Sequence, residues 1–344
     1  MADKEYSRSV LFFKRMIALT LALIILALLG STVYFALALK RTREEMDDLL
    51  TQMTQRQETE EPSDSTEAGE AQEEETEPRP EQAKPAGEES APEILEKARV
   101  IAHALGDADG IEGLNCLEGF LQHYEAGVRV FEADFRITSD GYAVLRHDWI
   151  GGLQDGINET AIPTRAEFLA RPILGQYTPL SFRDLLLLLS QYPDVCIITD
   201  TKFTEPEAVT AQFRSMVNEA HQMGLSYLFD RIIVQVYSPA MFGVVDGVHH
   251  FPHYIYTLYQ DYFGRTEDAF RNKIIFCQEN GIMGLTMNSE IWDPNYAPIA
   301  SWREIHVFVH TVNDAEEAKQ LLADGVSAVY TDSLSPQELE EEEP

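Results

Sequence analysis

Hydrophobic positions fall into three textures along the chain. Residues 16–39 are an unbroken run of 24 residues without a formal charge. As a helix rising 1.5 Å per residue, this run would extend about 36 Å, enough to cross a bilayer with some tilt. Residues 40–95 lose all apolar periodicity. From residue 96 to 335 short β-rich runs alternate with amphipathic stretches. Strands are predicted near Val100–Ala104, Val130–Phe135, Val195–Asp200, Ile232–Val236, Tyr254–Thr257, Met283–Met287, Ile305–His310 and Ala328–Thr331. Helices are predicted at Asn115–Glu125, Ser181–Gln191, Pro206–Met223, Pro239–Val245, Thr266–Glu279 and Asp314–Asp324, with Asn115 and Asp314 as N-caps. Eight strands alternating with helices over about 245 residues predict the α/β class and a (β/α)₈ TIM barrel. Ser139-Asp140-Gly141 reads as a turn into a short extra strand ending at His147.

The apolar run is longer than the roughly 7–15 residues of a signal-peptide core, although Ala36-Leu37-Ala38 resembles a cleavage site. We read 16–39 as one transmembrane helix, 1–15 as a cytoplasmic N-terminus, and the protein as a single-pass cell-membrane protein with an extracellular catalytic domain. Residues 44–90 carry 17 acidic and 3 basic residues. Such a segment buries too little apolar surface to offset its ordering entropy, so 40–95 is expected to be a disordered, extended linker. A second acidic stretch forms the tail at 336–344. The formal net charge is −32, which excludes nucleic acid as a partner by simple repulsion. The three cysteines, Cys116, Cys196 and Cys277, lack metal-site spacing and read as buried hydrophobes. His123 reads as a solvated or C-terminal residue of the first barrel helix.

In a TIM barrel, chemistry sits at the C-terminal ends of the strands. Here those ends carry His103, Glu132-Ala133-Asp134, His147 and Asp200-Thr201-Lys202. Residues i and i+2 of a strand share a face, so Glu132 pairs with Asp134 and Asp200 with Lys202. Three carboxylates converging with one lysine would repel one another. A divalent cation relieves that repulsion, and hard oxygen ligands favour Mg²⁺ or Ca²⁺. Gln235 and Tyr237, ending the fourth predicted strand, and His310, ending the seventh, are candidates for substrate contact. Trp149 is either an apolar wall beside the substrate or core. Residues 150–178, an insertion with Gly151-Gly152, are a candidate lid.

In order and spacing, His103, Asn115-Cys116-Leu117-Glu118-Gly119-Phe120, Phe131-Glu132-Ala133-Asp134, Ser139-Asp140-Gly141, His147-Asp148, Thr311-Val312-Asn313-Asp314, Gly325-Val326 and Thr331-Asp332 resemble the glycerophosphodiester phosphodiesterases. The resemblance implies a metal-dependent phosphodiesterase acting on a glycerophosphodiester or phospholipid head group. It implies Glu132, Asp134 and Asp200 as metal ligands, His103 and His147 as the acid–base pair, and Lys202 as a phosphate contact. Two departures stand out. The family has His-Arg-Gly where this chain has His103-Ala104-Leu105, and Glu-x-Lys where it has Asp200-Thr201-Lys202. Sphingomyelinase D-like relatives share both features, which admits a lipid phosphodiester substrate and a cyclic phosphate product. A membrane-tethered binding or scaffold module with a decayed site is the alternative from another class. A metal-independent phosphatidylinositol-specific phospholipase C-like enzyme is a third.

Overall fold

The computed structural model describes residues 83–340, except 86, 151–152, 154–156, 158–160 and 260–264. The apolar run at 16–39, most of the linker and the last four residues of the tail lie outside the described residues. Among the described residues, no helix is long and apolar enough to cross a membrane.

Nine strands are described: β1 Val100–Ala102, β2 Val130–Ile137, β3 Ala143–Leu145, β4 Cys196–Thr201, β5 Ile232–Val236, β6 His253–Thr257, β7 Gly284–Asn288, β8 His306–His310 and β9 Ala328–Thr331. They follow the order β1-β9-β8-β7-β6-β5-β4-β2-β3, and β1 also pairs with β2. That last pairing closes eight parallel strands into a barrel. β3 lies outside the ring. It runs antiparallel to the end of β2, with Phe135 opposite Leu145. The helices are α1 Ala91–Lys97, α2 Leu117–Glu125, α3 Arg165–Leu169, α4 Phe182–Gln191, α5 Pro206–Met223, α6 Pro239–Val248, α7 Glu267–Glu279, α8 Ala297–Ser301 and α9 Ala315–Ala323.

The barrel interior is built by alternation. One buried cluster joins Ile101, Val130, Cys196, Ile198, Ile233, Ile255, Phe308, Ala328 and Tyr330 from seven different strands. Each fully buried aliphatic or aromatic side chain of this kind stabilises the fold by about 1.5–3 kcal/mol. Gly284 makes room for Phe308, because a Cβ there would come within 2.5 Å of the ring. Two residues further along the same faces, the interior turns polar: His103, Glu132, Asp134, Asp200, Gln235, His310 and Asp332 all share the inward parity. The floor is apolar and the mouth is polar.

Three details differ from expectation. The last five residues of the segment read as linker, 91–95, fold into α1, and Ala91, Ile94 and Leu95 join the interior cluster. Ser90 and Glu93 form a capping box with Pro92 in the first turn, a start signal hidden by the acidic composition around it. β1 stops at Ala102, and His103–Leu105 form a 3₁₀ turn in which Ala104 and Leu105 have positive φ. The first barrel helix begins at Leu117. Its N-cap is Cys116, whose Sγ accepts from Gly119 N at 3.4 Å, because Asn115 is engaged elsewhere. Asp314 does cap its helix, accepting from Glu317 N.

Candidate active site

Glu132, Asp134 and Asp200 converge at the mouth. Each offers an oxygen, and these atoms lie within 4.8 Å of one another. The registers explain the convergence: Asp134 stands opposite Asp200 across the β2–β4 ladder. Each carboxylate is fixed from behind. Ala104 N donates to Glu132 Oε2 at 2.7 Å, which the left-handed turn after His103 makes possible. Asn115 Nδ2 donates to Asp134 Oδ2 at 2.8 Å, and Asp134 N donates back to Asn115 Oδ1 at 2.9 Å. Gln235 Nε2 donates to Asp200 Oδ1 at 2.9 Å. Lys202 Nζ lies 2.7 Å from Asp134 and also pairs with Asp200.

His103 enters from the end of β1. Its Nδ1 is 2.8 Å from Asp332 Oδ1, and its Nε2 faces Glu132 at 4.0 Å. Asp332 is itself held by Asn313 Nδ2 at 2.8 Å and donates its N–H to Asn313 Oδ1 at 2.8 Å. His147 lies beyond β3, half-exposed, with Nδ1 at 2.6 Å from Asp148 Oδ2. Arg136 Nη2 reaches the other oxygen of Asp148 at 2.9 Å.

Residues 111–335, more than half of the chain, match the glycerophosphoryl diester phosphodiesterase family. The chain belongs to that family. It is a phosphoric diester hydrolase. None of the curated proteins matches it. The barrel is similar to an Oleispira antarctica phosphodiesterase solved with the product sn-glycerol-3-phosphate, at 18% identity and TM-score 0.59, covering 73% of this chain and 98% of that one. It is also similar to a glycerophosphodiester phosphodiesterase from Parabacteroides distasonis (17% identity, TM-score 0.54, 68% and 92% of the two chains). A third likeness is to a glycerophosphodiester phosphodiesterase from Agrobacterium tumefaciens (12%, 0.54, 70% and 98%). At these identities the likeness carries the fold.

Electrostatics follow from burial and crowding. Glu132 is fully enclosed, and burial together with the neighbouring charge of Asp134 pushes it up to about 8. Burial acts the same way on Asp134, but Lys202 outweighs it and holds the group below the usual carboxylate range. Burial would lower Lys202, and the three carboxylates raise it instead. For His103 burial is again the largest influence and acts downward. The bond to Asp332 and the charges of Glu132 and Asp134 overturn it and push the ring up to about 9. His310 goes the other way, lowered to about 4 by burial and by the positive charges of His103 and Lys202. A carboxylate that prefers a proton at neutral pH, crowded by two others, is the donor set a hard divalent cation fits.

Of the residues singled out from sequence, His103, Glu132, Asp134, Asp200 and Lys202 meet in one site, with His147 at its rim and His310 beside His103 and Lys202. Gln235 faces the site but is committed to Asp200. The Tyr237 hydroxyl donates to the Phe203 carbonyl. Trp149 is core, packed with Val144, Ile157 and Phe168. His123 is buried, its Nε2 at 2.9 Å from Asp107, and not solvated. Of the supporting residues, Asn115 reads from sequence only as a helix cap, and Arg136, Asn313 and Asp332 carry no individual role there. Three of them sit inside family-like motifs, but nothing in a motif tells which carboxylate an asparagine will hold.

Proposed function

We propose that this chain cleaves glycerophosphodiesters or (lyso)phospholipid-type phosphodiesters with two histidines as acid and base and a divalent cation, Mg²⁺ or Ca²⁺. The observation that carries the reading is the convergence of His103, Glu132, Asp134, Asp200 and Lys202 at the barrel mouth, with His147 on the rim. Glu132, Asp134 and Asp200 would hold the cation, which when bound supplies positive charge for the phosphoryl oxygens.

The histidines divide by environment. Asp332 fixes His103 through Nδ1 and leaves Nε2 toward the site, and that bond to a carboxylate favours the charged ring. A held imidazolium is the acid that protonates the departing alkoxide. His147 is open to solvent, with Nδ1 tied to Asp148, so its Nε2 is the base that takes a proton from the attacking hydroxyl. Lys202 stands where charge grows on a non-bridging oxygen. His310, neutral, can both give and accept a hydrogen bond to the leaving alcohol. We further propose that residues 16–39 anchor the domain at the cell membrane with the barrel outside, a reading supported by the length of the apolar run.

The test is a substrate panel. Full-length chain in detergent is stripped with EDTA and assayed with Mg²⁺ or Ca²⁺ restored. The substrates are glycerophosphocholine, glycerophosphoglycerol, lysophosphatidylcholine and sphingomyelin. Metal-restored release of an open phosphomonoester is the expected result. A cyclic phosphate product would show a substrate hydroxyl as nucleophile, as the Asp200 and Ala104 departures allow. No turnover from folded, metal-loaded protein would favour the scaffold reading.

A further inference from the structure

Arg136 lies two residues beyond Asp134 on the inward face of β2, at the rim, with its side chain 17% exposed. Among the described residues, its side-chain hydrogen-bond partners belong to two loops. Nη2 holds Asp148 Oδ1 at 2.9 Å, Nε donates to the His147 carbonyl at 2.9 Å, and Nη1 reaches the Lys202 carbonyl at 3.5 Å. The guanidinium also lies over the Phe203 ring, 5.5 Å from its centroid. Arg146 also donates, to the backbone carbonyl of Asp148.

We infer that Arg136 is the positioning residue for His147, joining the loop that carries this base to the strand end that carries Lys202. The inference rests on the reading of His147 as base. The reason lies in exposure. The side chains of His147 and Asp148 are 55% and 46% exposed, and an ion pair so open to water does not by itself hold a ring in place. A planar fork that grips both the carboxylate and the neighbouring carbonyl does. Arg136 therefore fixes Asp148, Asp148 fixes Nδ1 of His147, and the third contact sets the distance from His147 to Lys202. Lysine at 136 could satisfy the charge of Asp148 but not the two carbonyls on different loops. Placement of this kind matters because a base displaced by about 1 Å loses on the order of a hundredfold in rate.

The experiment is steady-state kinetics of full-length protein on bis(p-nitrophenyl) phosphate with Mg²⁺. The variants are Arg136→Gln, Arg136→Lys, Asp148→Asn, the Arg136→Gln/Asp148→Asn double variant and His147→Ala. We expect Arg136→Gln and Asp148→Asn each to lower kcat by roughly 10- to 100-fold with KM changed less than about threefold. The double variant should be no worse than about threefold below the weaker single variant. Arg136→Lys should recover little of the loss. Thermal melts identify any variant that fails to fold, and Arg136→Lys and Asp148→Asn carry the test if Arg136→Gln does. Losses that multiply, a KM effect without a kcat effect, or full activity in Arg136→Gln would overturn the inference. His147→Ala separates the two levels. An inactive His147→Ala beside a fully active Arg136→Gln sinks the inference alone, and an active His147→Ala sinks the reading of the site with it.

Discussion

Asp332 holds Nδ1 of His103 at 2.8 Å across the β1–β9 ladder, since His103 follows β1 and Asp332 follows β9. Residues 229 positions apart in sequence thus become one hydrogen-bonded pair through strand pairing. Replacing Asp332 with Asn removes the carboxylate whose hydrogen bond does most to raise His103. As acid, His103 must be protonated, so activity falls as pH rises through its pKa. The alkaline limb of the kcat/KM profile should therefore move to lower pH in Asp332→Asn, with a rate loss of roughly 10²–10⁴-fold. Metal-free protein should report the same pair. His103 is raised from 6.5 to about 9, so its contribution to stability is complete below pH 6.5 and is lost as pH rises towards 9. Melting of the wild type across that window, compared with Asp332→Asn, checks the sign.

Glu132 gives a readout that does not depend on turnover. In metal-free protein it is raised from 4.5 to about 8, so the fold is favoured below pH 4.5 and progressively penalised up to pH 8. A divalent cation removes that penalty. Mg²⁺ or Ca²⁺ should raise the melting temperature more at pH 8 than at pH 5. Glu132→Gln should melt higher than wild type without metal at pH 8 and should lose most of the metal-induced shift.

Asn115 separates backbone from side chain. It sits at φ 51°, fully buried, donating to the Asp134 carboxylate and accepting from the Asp134 backbone N–H. Asn115→Gly keeps the backbone conformation and loses the two hydrogen bonds. It should cost about 1–3 kcal/mol and weaken Mg²⁺ binding in a titration. Asn115→Ala adds the strain of positive φ and should be worse in denaturant melts.

Trp149 tests core against wall. It is 4% exposed and packs edge-on against Phe168 with centroids 5.9 Å apart. Trp149→Ala should destabilise the fold by about 3–5 kcal/mol, whereas Trp149→Phe should keep KM within about twofold. A large rise in KM for Trp149→Phe would put the indole in contact with substrate.

Much of this site was legible because barrel strands alternate strictly. Glu132 with Asp134, and Asp200 with Lys202, follow from spacing alone once the strands are placed. Legibility ended where the chain leaves a strand. Ala104 and Leu105 take left-handed conformations that no residue type at those positions announces. That turn is what aims an amide at Glu132 and moves His103 off the strand end. Asn115 was read as a cap because asparagine is a good one, but Asp134 competes for its amide and Cys116 caps instead. Gln235 near the end of β5 and Tyr237 just beyond it are both polar, and only three-dimensional neighbours decide that one serves Asp200 and the other a loop carbonyl. α1 was concealed by composition, since its three core residues lie within an acidic stretch.

The most direct measurement of the account is the turnover of His103→Ala and His147→Ala beside wild type, in metal-restored full-length protein, with melting temperature and Mg²⁺ titration on the same samples. The account predicts a loss of roughly 10²–10⁴-fold or more in each, with the fold and the metal response preserved. Wild-type turnover in both variants would contradict it.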